Sequence, residues 1–221
     1  MTESEALTGT TDARVAGRVT GLRTFPVKSL DGERLTDVQV LASGLEHDRA
    51  WAVVDAEGRV VTGKRAPALR EVRAAVAQAP TDGPAVLLPG GDDLPVRGPS
   101  ADAALSRVVG EPVRVRAAEG AGIGFNEVAA VHLVSQQSVA AAAAGEGGGD
   151  ACDVEEPRAN VTVELDEGQD LETAWVGRQV QLGEAVLRVS QRPRNCLGVY
   201  AEVVRPGRVA VDDEVRLLSG G

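Results

Sequence analysis

Aromatic side chains make up only 2% of the 221 residues: two Phe, two Trp and one Tyr. Val, Leu and Ala must therefore supply most of any core. Lysine is scarce too, occurring only at Lys28 and Lys64, so arginine carries nearly all the positive charge. A codon bias towards Arg and Ala accounts for most of this. It still singles out each lysine for roles that suit a compact point charge on a flexible stem. The formal net charge of -10 excludes a general nucleic-acid binder, which would need a basic surface. No apolar run is long enough to span a membrane. Residues 1–13 are polar and acidic, unlike a secretory leader, and are expected to be a disordered tail.

Two cysteines, Cys152 and Cys196, give neither a disulfide framework nor a metal-finger spacing. A reducing, cytoplasmic setting is the expectation, with a Cys152–Cys196 bridge as the alternative. The two histidines, His47 and His132, form no Ser-His-Asp or Cys-His grouping in the sequence. His132 lies in an apolar run and reads as a satisfied core residue; His47 reads as a loop residue. With 33 acidic residues, chance carboxylate pairs are common, and none is singled out by position.

What the chain does have is strand patterning. Alternation over Val15–Arg23, Val161–Leu165 and the pair Arg178–Leu182 and Ala185–Val189 predicts β structure, the pair as a hairpin around Gly183-Glu184. Strands are also predicted over 35–41, 50–55, 85–88, 112–116, 131–134 and 199–204, with a return strand after a turn at Ala56-Glu57-Gly58. A strand over Leu69–Ala77 is favoured over a short helix. Two helices are predicted: 101–109 with Ser100 as cap and Gly110 as stop, and 136–144 with Ser135 as cap and Gly145 as stop. Strands dominate and no repeat is visible, so the expected fold is mainly β, a closed barrel with a few short helices. Glu119-Gly120-Ala121-Gly122-Ile123-Gly124 is the candidate boundary, dividing a β module over 14–118 from a second one over 119–221.

The stretch Arg192-Pro193-Arg194-Asn195-Cys196 sets a thiol among guanidinium groups, which favour the thiolate. A thiolate there can be a nucleophile, a persulfide carrier or a soft-metal ligand. Lys28, Ser29, Arg49, Arg65, Ser135, Arg158 and Asn160 all sit at or beside predicted strand ends or helix starts, where a fold can aim them at one pocket. Singly, each reads as a solvated cation or a cap. Together with Cys196 they describe a pocket for a phosphorylated cofactor carrying a soft metal. Cys152 lies in an acid-rich loop, 146–156, and reads as incidental.

The same residues carry a resemblance. Phe25-Pro26-Val27-Lys28-Ser29-Leu30-Asp31-Gly32, Gly44-Leu45-Glu46-His47-Asp48-Arg49-Ala50-Trp51 and the stretch 61–69 resemble the N-terminal β-barrel module of MOSC-domain proteins. The stretch 131–138, Pro157-Arg158-Ala159-Asn160-Val161, Trp175-Val176-Gly177 and the Cys196 stretch resemble the MOSC domain itself. The resemblance implies an interlocked, mainly β fold that binds molybdenum cofactor, a pyranopterin phosphate whose dithiolene holds the metal. It implies Cys196 as molybdenum ligand and Lys28, Ser29, Arg49, Arg158, Asn160 and Ser135 around the pterin phosphate. Where the family usually has Arg directly before the cysteine, this chain has Asn195, with Arg194 one place earlier as a substitute. The short stretch after Cys196 resembles compact bacterial MOSC domains.

The implied activity is reduction of N-hydroxylated small molecules, with electrons from a separate donor protein of flavin, iron–sulfur or haem type. The alternatives are a sulfurtransferase with a persulfide on Cys196, or a non-catalytic cofactor-binding module. Pyridoxal phosphate would need a buried lysine, with Lys28 and Lys64 the two candidates.

Overall fold

The computed structural model describes residues 13–76, 83–91, 93–119, 124–125, 128–145 and 157–219. The expected tail, most of the 119–124 boundary, the 146–156 loop and Cys152 lie outside them. Seven strands close a barrel: β1 (Ala13–Thr24), β2 (Val131–Ser135), β3 (Val161–Leu165), β4 (Gln179–Leu182), β5 (Ala185–Gln191), β6 (Val199–Arg205) and β7 (Glu214–Leu218). Their order is β3-β2-β6-β5-β4-β7-β1, and β1 returns to pair with β3. Closure leaves no open sheet edge in the ring, a stable solution for strands with one apolar face.

The length of β1 makes closure possible. Its 12 residues pair with β7 through the first half and with β3 along the second, with register shifts at Val15/Gly17 and Val19/Gly21. Such bulges bend a strand. At Gly17, with φ of 155°, a Cβ would lie 2.0 Å from the Glu164 carbonyl oxygen, so only glycine allows the approach. Inward residues Ala16, Val19 and Leu22 meet Leu133, Val161, Val163, Trp175 and Leu187 in the barrel core.

A second core lies outside the barrel. Val27, Leu30, Trp51, Val53, Val61, Leu69, Val72, Val86 and Val113 pack with Ala101 and Leu105 of helix α1 (Pro99–Val109). A three-stranded sheet of Val113–Ala117, Trp51–Asp55 and Val27–Lys28 supports it. The two cores do not part at residue 119: β1, Val38, Val40 and Leu45 all belong to the barrel core. The chain therefore enters the barrel, leaves to build the second core, and returns, which interlocks the two modules. The mainly β, closed-barrel expectation describes this architecture.

Four local expectations need correction. Pro67, whose ring presets a helical φ, opens a 3-10 turn over Pro67–Glu71, so the strand is only Arg73–Ala75. Gly98 rather than Ser100 occupies the cap of α1, with Pro99 in the first turn and no side-chain cap. The run 35–41 is two strands, Glu33–Leu35 on β1 and Asp37–Leu41 on Gly207–Ala210. After the 56–58 turn the chain makes only an isolated bridge, Val54 to Val60. Helix α2 (Gln136–Ala143) starts at Ser135 as expected.

Candidate functional site

The end of β1 builds the floor of the site. Residues two apart on a strand share a face, so Arg23 and Phe25 project together. Arg23 stands with its guanidinium carbon 5.1 Å from the Phe25 ring centroid. The next segment, 26–31, supplies Lys28, Ser29 and Asp31, and Ser29 holds a left-handed φ of 77°. A second loop is clipped onto the first. The Asp48 carboxylate accepts from the Phe25 N–H at 2.8 Å, and the Arg49 N–H donates to the Phe25 carbonyl at 2.8 Å. His47 and Arg49 are also left-handed, at φ of 65° and 50°. Non-glycine residues held there store strain of about 1–3 kcal/mol each and cluster at functional sites.

Three arginines from distant parts of the chain meet on the one phenyl ring. The Arg158 guanidinium lies 4.4 Å from its centroid and that of Arg49 5.0 Å, beside Arg23. Arg23 pairs with Asp31 at 2.8 Å, Arg49 with Asp48, and Arg158 donates to the Leu30 carbonyl at 2.5 Å. Asp31 is also 4.0 Å from Arg158. Among the described residues, the ion pairs of this cluster join its three guanidinium groups to the carboxylates of Asp31 and Asp48. The Arg158 pKa is pulled down to about 10, first by burial and then by repulsion from Arg49, with Asp31 acting the other way. An arriving anion would relieve such repulsion among desolvated cations.

The Cys196 loop reaches the same region through His132. This ring lies in the strand-end region of β2, and its Nε2–H donates to the Leu197 carbonyl at 2.8 Å. Burial lowers its pKa, the carbonyls of Leu197 and Arg158 work against that, and Arg49 adds to the lowering. Tyr200 packs edge-on against the ring, with centroids 5.1 Å apart. Its phenol is raised by burial while Arg49 opposes the rise. His132 is the buried residue the sequence suggests, and it also places Leu197 beside the arginine cluster.

Cys196 itself corrects an expectation. It is disulfide-bonded, not a reduced thiol. Both sulfur valences are then used, so in this state it offers no thiolate to a metal and no site for a persulfide.

The other sequence candidates fall into two groups. Lys28, Ser29, Arg49 and Arg158 belong to the segments that form the arginine site. Arg65, Ser135 and Asn160 do not present free polar groups there. Arg65 is bound to Asp55 at 2.8 Å and Glu111 at 2.6 Å. Ser135 is fully buried; its hydroxyl caps Ser138 N–H and donates to the Glu172 carboxylate, which occupies the helix start where an anion was expected. Asn160 is fully buried, accepting from the His132 N–H at 3.1 Å and donating to the Arg23 carbonyl at 3.3 Å. Arg194 is exposed on the Cys196 loop. Lys28 is half-buried and Lys64 exposed. Arg23 escaped the sequence reading, and Phe25 and Asp31 entered it only as part of a motif and not as site residues, although the Arg-x-Phe spacing at a strand end was a usable signal.

Two family models match the chain: the MOSC N-terminal beta barrel domain over residues 16–134 and the MOSC domain over residues 121–197. The chain belongs to the MOSC family. MOSC domains are associated with binding of molybdenum cofactor. Among solved structures, the YuaD protein from Bacillus subtilis is 14% identical, with 96% of this chain and 100% of that one covered and a TM-score of 0.47. A hypothetical protein is also 14% identical, covering 93% of this chain and 70% of its own, with a TM-score of 0.43. Curated protein sequences give no match. No helix among the described residues of this MOSC protein is long and apolar enough to cross a membrane. Among the same residues, no three His, Cys, Asp or Glu side chains gather as a metal-binding group.

The residues of the MOSC site fit the two ends of such a cofactor unequally. The arginines on Phe25 suit a phosphate, since guanidinium forks match its oxygens. A soft metal suits a thiolate, which Cys196 supplies only after its disulfide is reduced.

Proposed function

We propose that this MOSC protein is a molybdenum-cofactor-dependent reductase of N-hydroxylated small molecules, active when Cys196 is reduced. The observation that supports it most is the gathering of three arginines on the Phe25 ring. Arg49 and Arg158 hold the cofactor phosphate, Arg23 and Asp31 brace Arg158 from behind, and Lys28 and Ser29 border the same segment. When bound, the cofactor supplies a metal centre that accepts two electrons and delivers them to substrate. The overall reaction cleaves the N–O bond with two electrons and two protons, giving the N–H compound and water. The electrons come from a separate flavin, iron–sulfur or haem donor protein. Cys196 contributes a thiolate, and His132 and Tyr200 wall that side of the site.

Metal analysis of protein made in a cofactor-competent host, with and without reductant, tests this reading. Molybdenum should be retained by the reduced protein and lost in Cys196→Ala. Equal, background levels in all samples would overturn it.

A second reading draws on the loop itself. Arg192, Arg194 and Asn195 are exposed beside a half-buried Cys196, as a sulfur carrier that docks on a partner requires. Mass spectrometry of the reduced protein after incubation with a cysteine desulfurase and cysteine distinguishes it, by a gain of one sulfur on Cys196.

A further inference from the structure

The Cys196 loop is fixed to β2 at two adjacent points. One is the hydrogen bond from His132 Nε2 to the Leu197 carbonyl. The other is Gly198, at φ of 85°, where a Cβ would stand 2.2 Å from the Leu133 carbonyl oxygen. The same residue of β2 is tied to the opposite side of the site. The backbone N–H of His132 donates to the Asn160 side-chain oxygen, and the Asn160 N–H donates to the His132 carbonyl at 2.8 Å. Asn160 in turn exchanges with Arg23: its side chain donates to the Arg23 carbonyl, and its own carbonyl accepts from the Arg23 N–H at 2.8 Å. One buried position therefore connects the strand end carrying Arg23, the strand start just after Arg158, and the loop carrying Cys196.

We propose that His132 is a positioning residue, holding the Cys196 loop at a fixed place against the arginine-bearing segments through its Nε2–H bond to Leu197. The inference rests on the reading of Cys196 and the arginines as two parts of one site. A buried ring with one proton must choose between its nitrogens, and a carbonyl oxygen at 2.8 Å selects the Nε2–H form. Loss of that donor leaves the half-buried Leu197 carbonyl without its His132 partner. The loop then loses one of its ties to β2, and Cys196 is less firmly placed relative to Arg158 and Arg49.

The test uses the full chain. With only two histidines, nitrogen-15 histidine spectra assign directly once His47→Gln is compared with the unaltered protein. His132 should show one slowly exchanging Nε2–H at neutral pH, and rapid averaging between tautomers would overturn the proposal. His132→Gln keeps an N–H donor, and His132→Leu removes it. In the reduced protein, molybdenum retention and the rate of Cys196 alkylation should differ about tenfold or more between His132→Leu and the unaltered chain, with His132→Gln restoring most of it. Val161→Ala, a barrel-core variant, controls for general loss of stability and should leave both measurements unchanged. A His132→Leu protein no different from Val161→Ala, or a His132→Gln protein as impaired as His132→Leu, overturns the proposal. If the unaltered protein retains no molybdenum, the cofactor reading fails, and the spectra with the alkylation rates still decide the role of His132.

Discussion

Asn160 and His132 form a reciprocal pair between β3 and β2, each backbone N–H donating to the other residue and the Asn160 amide bridging on to Arg23. An amide that is fully buried with both ends engaged belongs to the framework, although its place in the sequence suggested a role in reading a pterin. Asn160→Ala should therefore cost about 2–4 kcal/mol, because two buried backbone groups lose their partner. Denaturant unfolding measures this. A change below about 0.5 kcal/mol would show that the amide is dispensable.

The arginine triad makes a separate prediction about anions. Arg158→Gln and Arg49→Gln each remove one of the three guanidinium groups gathered on Phe25. Affinity for inorganic pyrophosphate, read by calorimetry, should fall about tenfold for each, and the remaining binding should weaken less steeply with added salt.

Gly198 gives the sharpest steric prediction. An alanine there must adopt φ of 85° with its methyl group 2.2 Å from the Leu133 carbonyl oxygen, a distance no Cβ tolerates. Gly198→Ala should destabilise the protein by about 1–3 kcal/mol or more and raise hydrogen exchange at Val199 and Tyr200. Gly58→Ala is a useful contrast. It has positive φ of 79° but open space around the added methyl, so the cost should be only the backbone strain.

Acid sensitivity should have two phases. His132 has a folded pKa below its unfolded value of about 6.5, so the unfolded chain binds the proton first. Its contribution is present above about pH 6.5 and lost as pH falls through that value towards the lower folded pKa. Asp55 is depressed chiefly by its hydrogen bond from Arg65, with Arg59 adding to it. Its contribution is present above about pH 4 and lost only as pH falls further. Unfolding midpoints followed from pH 8 to 2 should lose the first phase in His132→Gln and the second in Asp55→Asn.

Much of the architecture was legible from the residues. Alternation in β1, β3, β4 and β5 forecast strands because burial of one strand face enforces a period of two. The caps Ser135 and Gly110 marked helix ends through groups that only those residue types satisfy. The 3-10 turn at Pro67 was missed because Leu69, Val72 and Val76 suit two periods, and the proline geometry settled between them. Most of the closing strand pairings were illegible, since β1 bonds to strands that lie near the far end of the chain.

For the site, the sequence alone determined its inventory: a cysteine beside arginines, cations at strand ends, an anion-suited chemistry and the MOSC motifs. Only the tertiary structure decided which of these meet. It gathered Arg23, Arg49 and Arg158 on Phe25, where close packing makes their repulsion a property of the site. It turned Asn160, Ser135 and Arg65 to framework and ion-pair duties, because a polar group in or at the edge of the interior must be satisfied by whatever lies beside it. It also set Cys196 in a disulfide, a state fixed by the approach of two sulfur atoms in space and by redox conditions, neither of which a residue order specifies.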